Sequence, residues 1–189
     1  QKQRALNKAR YKWVLSIDAD EEITPALKEE ILKTISLGDF DGYQIPRLSS
    51  YCGKEIKHGG WWPDYIVRLF KRESGKFSSD LVHEQVIING VIGKLNTPIL
   101  HEAFINAEEV LTKINSYSSL GAQKLFNNNK KITLVGAITR AFWSFFRTYI
   151  IKASWLDGPE GLMLAISNAE GTYYKYIKLR LLNLNNPKS

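Results

Sequence analysis

Cysteine is almost missing from this chain. Cys52 is the one thiol among 189 residues, so no internal disulfide and no cysteine-built metal centre can form, a usage that fits a reducing compartment. Histidine is scarce as well, three in all, which confines imidazole chemistry to His58, His83 and His101. No secretory signal is legible at the amino terminus, where Gln1 to Arg10 is polar, basic and helical in character. The chain also lacks an initiator methionine, which reads as processing or truncation. No internal repeat and no low-complexity tract interrupts it.

What is present points to a globular protein. Hydrophobic content of 44% and aromatic content of 12% can supply a core, and the length suits one domain or one domain with an appendage. The net charge of +7 is unevenly placed: residues 130–189 hold nine Lys and Arg against three acids, and residues 1–129 hold 17 against 16. That asymmetry predicts an anionic surface as partner of the C-terminal segment.

The chain is organised around Trp13 to Glu22. Trp13, Val14, Leu15 and Ile17 make a nearly continuous apolar run, the pattern of a parallel-sheet strand covered on both faces. It ends in Asp18, Asp20, Glu21 and Glu22. Ligands of open α/β sheets bind at the carboxyl ends of such strands, and two carboxylates two residues apart suit Mg²⁺ or Mn²⁺, which complete their shells with water and phosphate oxygens. The bare D-x-D spacing is equally compatible with acids that favour the next helix, for which Thr24-Pro25 is a cap and first-turn pair.

That helix is predicted from Thr24 to about Ser36, with Leu27, Ile31 and Ile35 as its buried stripe and Gly38 at its end. Short strands follow over Gly42–Leu48, Tyr65–Phe70, and Gln85–Ile88 with Val91–Leu95, the last two read as a hairpin about Asn89-Gly90. Asn106 caps a helix to about Phe126, with Val110, Ile114, Tyr117 and Gly121 on one face. Asn127 to Lys131 is a polar break, and two more helical stretches, about 132–154 and 161–183, lie beyond it. The predicted class is therefore α/β, with a catalytic portion over 1–129 and a helical, basic segment over 130–189.

His58 opens His58-Gly59-Gly60-Trp61-Trp62-Pro63-Asp64, where paired glycines let the backbone approach a ligand and tryptophans offer stacking faces. His83 and Glu84 are neighbours at a strand start, so their side chains point to opposite faces. His101 ends the Pro98-Ile99-Leu100 strand. Each of these histidines, and the acids Asp64 and Glu84, also reads as an ordinary structural or surface residue.

The ordered succession WVLSIDADEEITP, GYQIPR, HGGWWPDYIVRLFKR, LVHEQV, PILHEAF and WLDG resembles bacterial glycosyltransferase family 2, especially members that add sugars to the lipopolysaccharide core. The resemblance covers almost the whole chain. It implies the C-terminal portion of a Rossmann-like GT-A fold, a nucleotide-diphosphate sugar donor, a divalent metal and inversion at the anomeric carbon. By position, Asp18 and Asp20 match the metal and diphosphate motif, with Asp20 the more direct ligand. Gly59 and Gly60 match a glycine-containing loop near the donor, with Trp61 beside them, Glu84 matches the acidic base, and His101 matches the histidine that completes the metal site. In the family the D-x-D strand closes the nucleotide-binding half, whereas here it begins at residue 13, so this sequence reads as the back two-thirds of an enzyme.

The residue types suit that chemistry. A metal stabilises charge developing on the leaving diphosphate, the sugar passes through an oxocarbenium-like state, and a carboxylate takes the acceptor hydroxyl's proton. Glu84 is the expected base and Asp64 its reserve. The acceptor would be a glycan or lipid-linked saccharide.

The C-terminal segment is expected to lie on an anionic membrane without spanning it, at the inner face of the cell membrane. Arg140 and Arg147, seven apart on one helical face, would each cost roughly 2.5–3.5 kcal/mol at mid-span, yet at an interface they form a cationic stripe beside Phe142, Trp143, Phe145, Phe146 and Tyr149. Packing of those aromatics within the protein is the competing reading. A pI of 9.4 also raises a nucleic-acid-binding module, but the basic residues sit within apolar stretches and the acids at 18–22 would repel phosphate. A catalytically inactive structural fragment is the remaining alternative.

Overall fold

The basic amino-terminal stretch folds as helix α1 (Lys2–Lys8) and leads to strand β1 (Trp13–Leu15) and the two-residue strand β2 (Glu21–Glu22). Helix α2 (Pro25–Leu37) starts where its cap predicts. Thr24 accepts a hydrogen bond from the Leu27 N–H, Pro25 occupies the first turn, and Gly38 closes the helix in the left-handed conformation. In this computed structural model residues 2–78 and 85–185 are described. The chain divides into two compact units, residues 1–49 with 63–102 and residues 50–62 with 103–189.

The first unit is built on a mixed sheet. Strand β3 (Gly42–Tyr51) is its central strand, largely buried, and the last two residues of the strand, which belong to the second unit, pair with β4 (Lys54–Glu55). Strands β5 (Asp64–Lys71), β6 (Gly75–Phe77), β7 (Val86–Ile88), β8 (Ile92–Lys94) and β9 (Ile99–Phe104) follow. The main sheet runs β1-β5-β3-β9-β2, with β8 added parallel to β3. Leu27 and Ile31 of α2 pack with Tyr43, Ile45, Leu69, Leu95 and Ile99 as one core. Fully burying each such side chain contributes about 1.5–3 kcal/mol.

Two expectations about this sheet are corrected. The Trp13 strand is not a parallel strand covered on both faces: β1 pairs antiparallel with β5, its three residues are half-buried, and Ile17 is 47% exposed. Its only strand partner among the described residues is β5, so its apolar run reflects one covered face. The Asn89-Gly90 hairpin does not form either. β7 pairs with β6 instead, Val86 opposite Phe77 and Ile88 opposite Gly75, while β8 leaves for β3. Asp41 makes the difference, because its N–H donates to the Val91 carbonyl and its carboxylate accepts from the Val91 N–H. Those bonds deliver β8 to the sheet and Leu95 to the core.

The second unit is helical. Helix α3 (Ala107–Asn127) is capped by Asn106, which accepts from the Glu109 N–H, while Glu109 accepts from the Ile105 N–H. Its buried stripe runs through Val110, Ser118 and Ala122, with the partly buried Ile114 between the first two, while Tyr117 is exposed. The polar break after Asn127 leads, within the same unit, to α4 (Leu134–Phe146), capped by Thr133. A π-helical turn (Arg147–Ile151) and a 3-10 turn (Ser154–Asp157) join α4 to α5 (Pro159–Asn185), and α3 and α4 both pack on α5. A second core gathers Tyr51, Ile56, Val110 and Leu164. No helix among the described residues is long and apolar enough to cross a membrane.

Gly90 tests the corrected path. Its φ of 140° suits glycine, and a Cβ there would fall 2.2 Å from an Asp41 carboxylate oxygen. Gly90→Ala is expected to lower stability by about 1–3 kcal/mol, read as a lower urea midpoint. An unchanged midpoint would contradict the Asp41 tether.

Candidate functional site

After β1 the chain stays beside β5, because the Ser16 N–H donates to the Arg68 carbonyl. It then turns tightly through Asp18-Ala19-Asp20, with the Glu21 N–H donating to the Asp18 carbonyl, and enters β2. There Glu21 stands opposite His101 on β9, and the Glu102 N–H donates to the Asp20 carbonyl. The acidic motif is thus a turn stretched between two strands, which fixes where each carboxylate points.

Asp18 and Asp20 point to different partners. The two oxygens of Asp18 accept separately, one from Lys2 and one from Arg68, each at 2.5 Å. Arg68 also donates to Glu21 at 2.5 Å, and the other Glu21 oxygen accepts from the Asp18 N–H at 2.9 Å. Arg68 is buried, and the Glu21 side chain is fully buried. A buried guanidinium is tolerable only when paired, and here two carboxylates neutralise it. Burial opposes ionisation of Asp18, but the Lys2 hydrogen bond and the Arg68 charge outweigh it and hold the carboxyl below its usual range.

Asp20 turns to His101. Its carboxylate lies 3.4 Å from His101 Nε2 and is half exposed, while Nδ1 of the same ring is 2.9 Å from the Ser49 hydroxyl. Burial and the nearby Arg47 charge lower the His101 pKa, against the opposing pull of Asp20 and Glu21. A lowered pKa favours the neutral imidazole, the form that ligates a metal.

Asp20 and His101 offer one half-exposed carboxylate and one imidazole nitrogen of a mostly buried ring, a donor pair that fits a divalent ion whose remaining ligands are water and phosphate. Asp18 is committed to cations. Among the described residues no three His, Cys, Asp or Glu side chains are gathered into a set able to hold a metal. The candidate base Glu84 and its neighbour His83 lie outside the described residues. Asp64, the reserve base, stands opposite Arg47 across β3 and β5, and one of its oxygens accepts from Arg47 Nε at 3.0 Å and Nη2 at 2.6 Å.

Gly59, Gly60 and Trp61 belong to the second unit. There the buried Asp157 carboxylate accepts from the Lys57 and His58 N–H groups and contacts His58 Nδ1 at 2.8 Å. The Gly59 N–H donates to the Lys152 carbonyl. Both glycines have positive φ, and a Cβ on Gly60 would fall 2.1 Å from Lys152 Nζ. The Trp-Leu-Asp-Gly motif is therefore the clamp of the glycine loop, and His58 is part of that clamp. Sequence reasoning missed Glu21, Arg68 and Asp157. The available signal was Arg68 itself, one charge inside the apolar Tyr65–Phe70 run, which requires a buried acid.

Arg68→Met should therefore cost about 3–5 kcal/mol, the scale for leaving a buried partner uncompensated. The pH dependence follows from Asp18. A carboxyl whose folded pKa is depressed contributes stability above its unfolded value near 3.9, lost as pH falls through the folded value. Chemical denaturation between pH 2 and 6 should show a shallower acid loss in the variant. A wild-type slope would remove Asp18 from the pair.

No family model matches the sequence. It is similar to a protein of Rickettsia typhi described as an uncharacterized glycosyltransferase, 29% identical over 184 residues that cover 91% of this chain and 63% of that protein. A Rickettsia prowazekii protein of the same description matches equally, 29% identical over 184 residues, 91% and 63%. The lipopolysaccharide core biosynthesis glycosyltransferase LpsC of Rhizobium meliloti is 28% identical over 177 residues, covering 89% of this chain and 64% of that protein. The chain spans slightly less than two thirds of the length of these relatives, and over nearly all of its own length what it resembles are proteins named glycosyltransferases.

Proposed function

We propose that the chain is the metal- and acceptor-side portion of an inverting family 2 glycosyltransferase with a GT-A fold. It transfers a sugar from a nucleotide-diphosphate donor to a glycan or lipid-linked acceptor of the cell envelope, such as the lipopolysaccharide core. The observation that carries this reading is the Asp20–His101 pair, 3.4 Å apart at the end of the acidic turn, in a chain similar to named glycosyltransferases.

Asp20 and His101 are the residues that would hold Mg²⁺ or Mn²⁺, with Asp18 lending an oxygen by releasing Lys2. Bound there, the ion would act as a Lewis acid on the leaving diphosphate. Ser49 orients the His101 ring through Nδ1, the partner a ligating imidazole requires. Arg68 and Glu21 hold the turn so that Asp20 meets His101 without rearrangement. Glu84 takes the acceptor hydroxyl's proton; Asp64 is second choice because Arg47 already occupies one of its oxygens.

The same reading puts the protein on the inner face of the membrane. Leu134, Ile138, Phe142, Phe146 and Ile150 recur every four residues and all are exposed, Phe142 by 71%. Ala137 is buried, so the helix already satisfies its inner side and presents a second apolar stripe outward. Arg140 and Arg147 would add attraction to anionic lipid, about 1 kcal/mol each.

In the full-length protein, Asp20→Asn and His101→Ala should each lower Mn²⁺-dependent turnover by roughly 10- to 100-fold, and Glu84→Gln by roughly 100-fold or more with donor binding retained. Near-normal turnover in Asp20→Asn would sink the metal assignment, and in Glu84→Gln it would move the base to Asp64. Sedimentation with liposomes should rise with anionic lipid content and fall with salt. Protein left in the supernatant at low salt would refute membrane docking.

A further inference from the structure

The second unit holds a cavity of about 310 Å³. One wall is aromatic. Trp61 and Phe104 stack at 6.0 Å and 28°, and Tyr51 packs against both rings at 6.1 and 5.5 Å. The opposite wall is α5, which brings the side chains of Ser167, Asn168 and Thr172 to the cavity on successive turns. Val110, Ile114, Tyr117 and Leu164 add apolar lining, Ser118, Lys113 and Lys175 add polar groups, and no acid lines the cavity.

Gly171 lies on that helical wall. A glycine inside a helix is destabilising relative to alanine, so packing usually has to demand it. Here nothing does: a Cβ at Gly171 would meet no atom within 4 Å. The other glycine of this helix that borders a neighbour behaves differently, since a Cβ on Gly161 would fall 1.8 Å from the Ser154 carbonyl oxygen. Gly161 is explained by the protein itself, and Gly171 by space left for something else.

We propose that this cavity binds a single glycosyl residue carrying a phosphate or carboxylate. The weakly acidic C–H face of a pyranose suits the Trp61 ring, its hydroxyls suit Ser167, Asn168 and Thr172, and its anionic group suits Lys175, since Lys113 is paired with Glu109 and lies over the Phe104 ring. An acyl chain would leave unused the hydrogen-bonding capacity that Ser167, Asn168 and Thr172 keep beyond their bonds to Tyr51, Thr148 and Ser144. A nucleotide-sugar is too large, because 310 Å³ stands at the small end of ligand pockets. The proposal goes beyond sugar transfer at Asp20 and is tested as binding alone, so it survives or fails separately.

Glucose 6-phosphate, glucuronate, glucose, uridine monophosphate and dodecanoate are titrated into the full chain by calorimetry, with saturation-transfer NMR as the second readout. The two anionic sugars should bind with Kd of about 1 mM, and glucose about tenfold more weakly. Gly171→Leu and Trp61→Ala should each weaken binding by about tenfold or more, and Gly171→Leu should melt no lower than wild type. Lys175→Gln replaces it if Gly171→Leu does not fold, and should weaken glucose 6-phosphate while sparing glucose. The proposal is overturned if neither anionic sugar binds, if affinity is unchanged in folded Gly171→Leu, or if uridine monophosphate or dodecanoate binds more tightly.

Discussion

A guanidinium buried in the sheet sets the terms for the acidic turn. Arg68 sits on β5 where apolar neighbours exclude water, and an unpaired charge there would cost several kcal/mol. Two carboxylates therefore have to come to it, and both come from one four-residue stretch, Asp18 to Glu21. Once Asp18 and Glu21 are bound to Arg68, the turn has one conformation left and Asp20 is the acid that remains available. It meets His101 because Glu21 and His101 are register partners on β2 and β9. The acid–imidazole pair, its acid half exposed, is thus a by-product of neutralising a buried cation.

The second unit uses a carboxylate in the same way. Asp157 is nearly buried and is satisfied by two backbone N–H groups and one imidazole of the His58 loop. That set of bonds explains why a Trp-Leu-Asp-Gly motif about a hundred residues from His-Gly-Gly belongs to the same sequence pattern. Ala153 and Gly158 both have positive φ, so the segment around Asp157 bends sharply enough to aim its side chain. A charged group used as a scaffold is costly to lose, which makes Asp157 a residue of architecture.

Helix α4 shows how one amphipathic pattern can carry two apolar faces. Ala137 closes against the rest of its unit, while the stripe from Leu134 to Ile150 stays uncovered. An apolar face of that length is a recognition surface more often than a neutral one. Arg140 is already engaged, stacked over Tyr176 and bonded to the Gly136 carbonyl, so the cationic edge of the stripe is held in place.

The sequence alone determined whatever depends on residues within about four positions of each other. Thr24 and Asn106 cap their helices as predicted, Gly38 ends α2, and Leu27 and Ile31 face the core, because helix caps and periodicity are local geometry. The α/β class and the association of Asp20 with His101 were also legible, the second through a motif order. Only the tertiary structure decided which strand β8 joined, since the Asn-Gly turn was outcompeted by Asp41, fifty residues away. It also decided that Asp18 and Glu21 serve Arg68, across 50 and 47 residues, and that Gly171 faces empty space. Those outcomes rest on long-range competition for hydrogen bonds and charge neutralisation, where a side chain's partner is set by the sheet that buries both, and no local pattern encodes it.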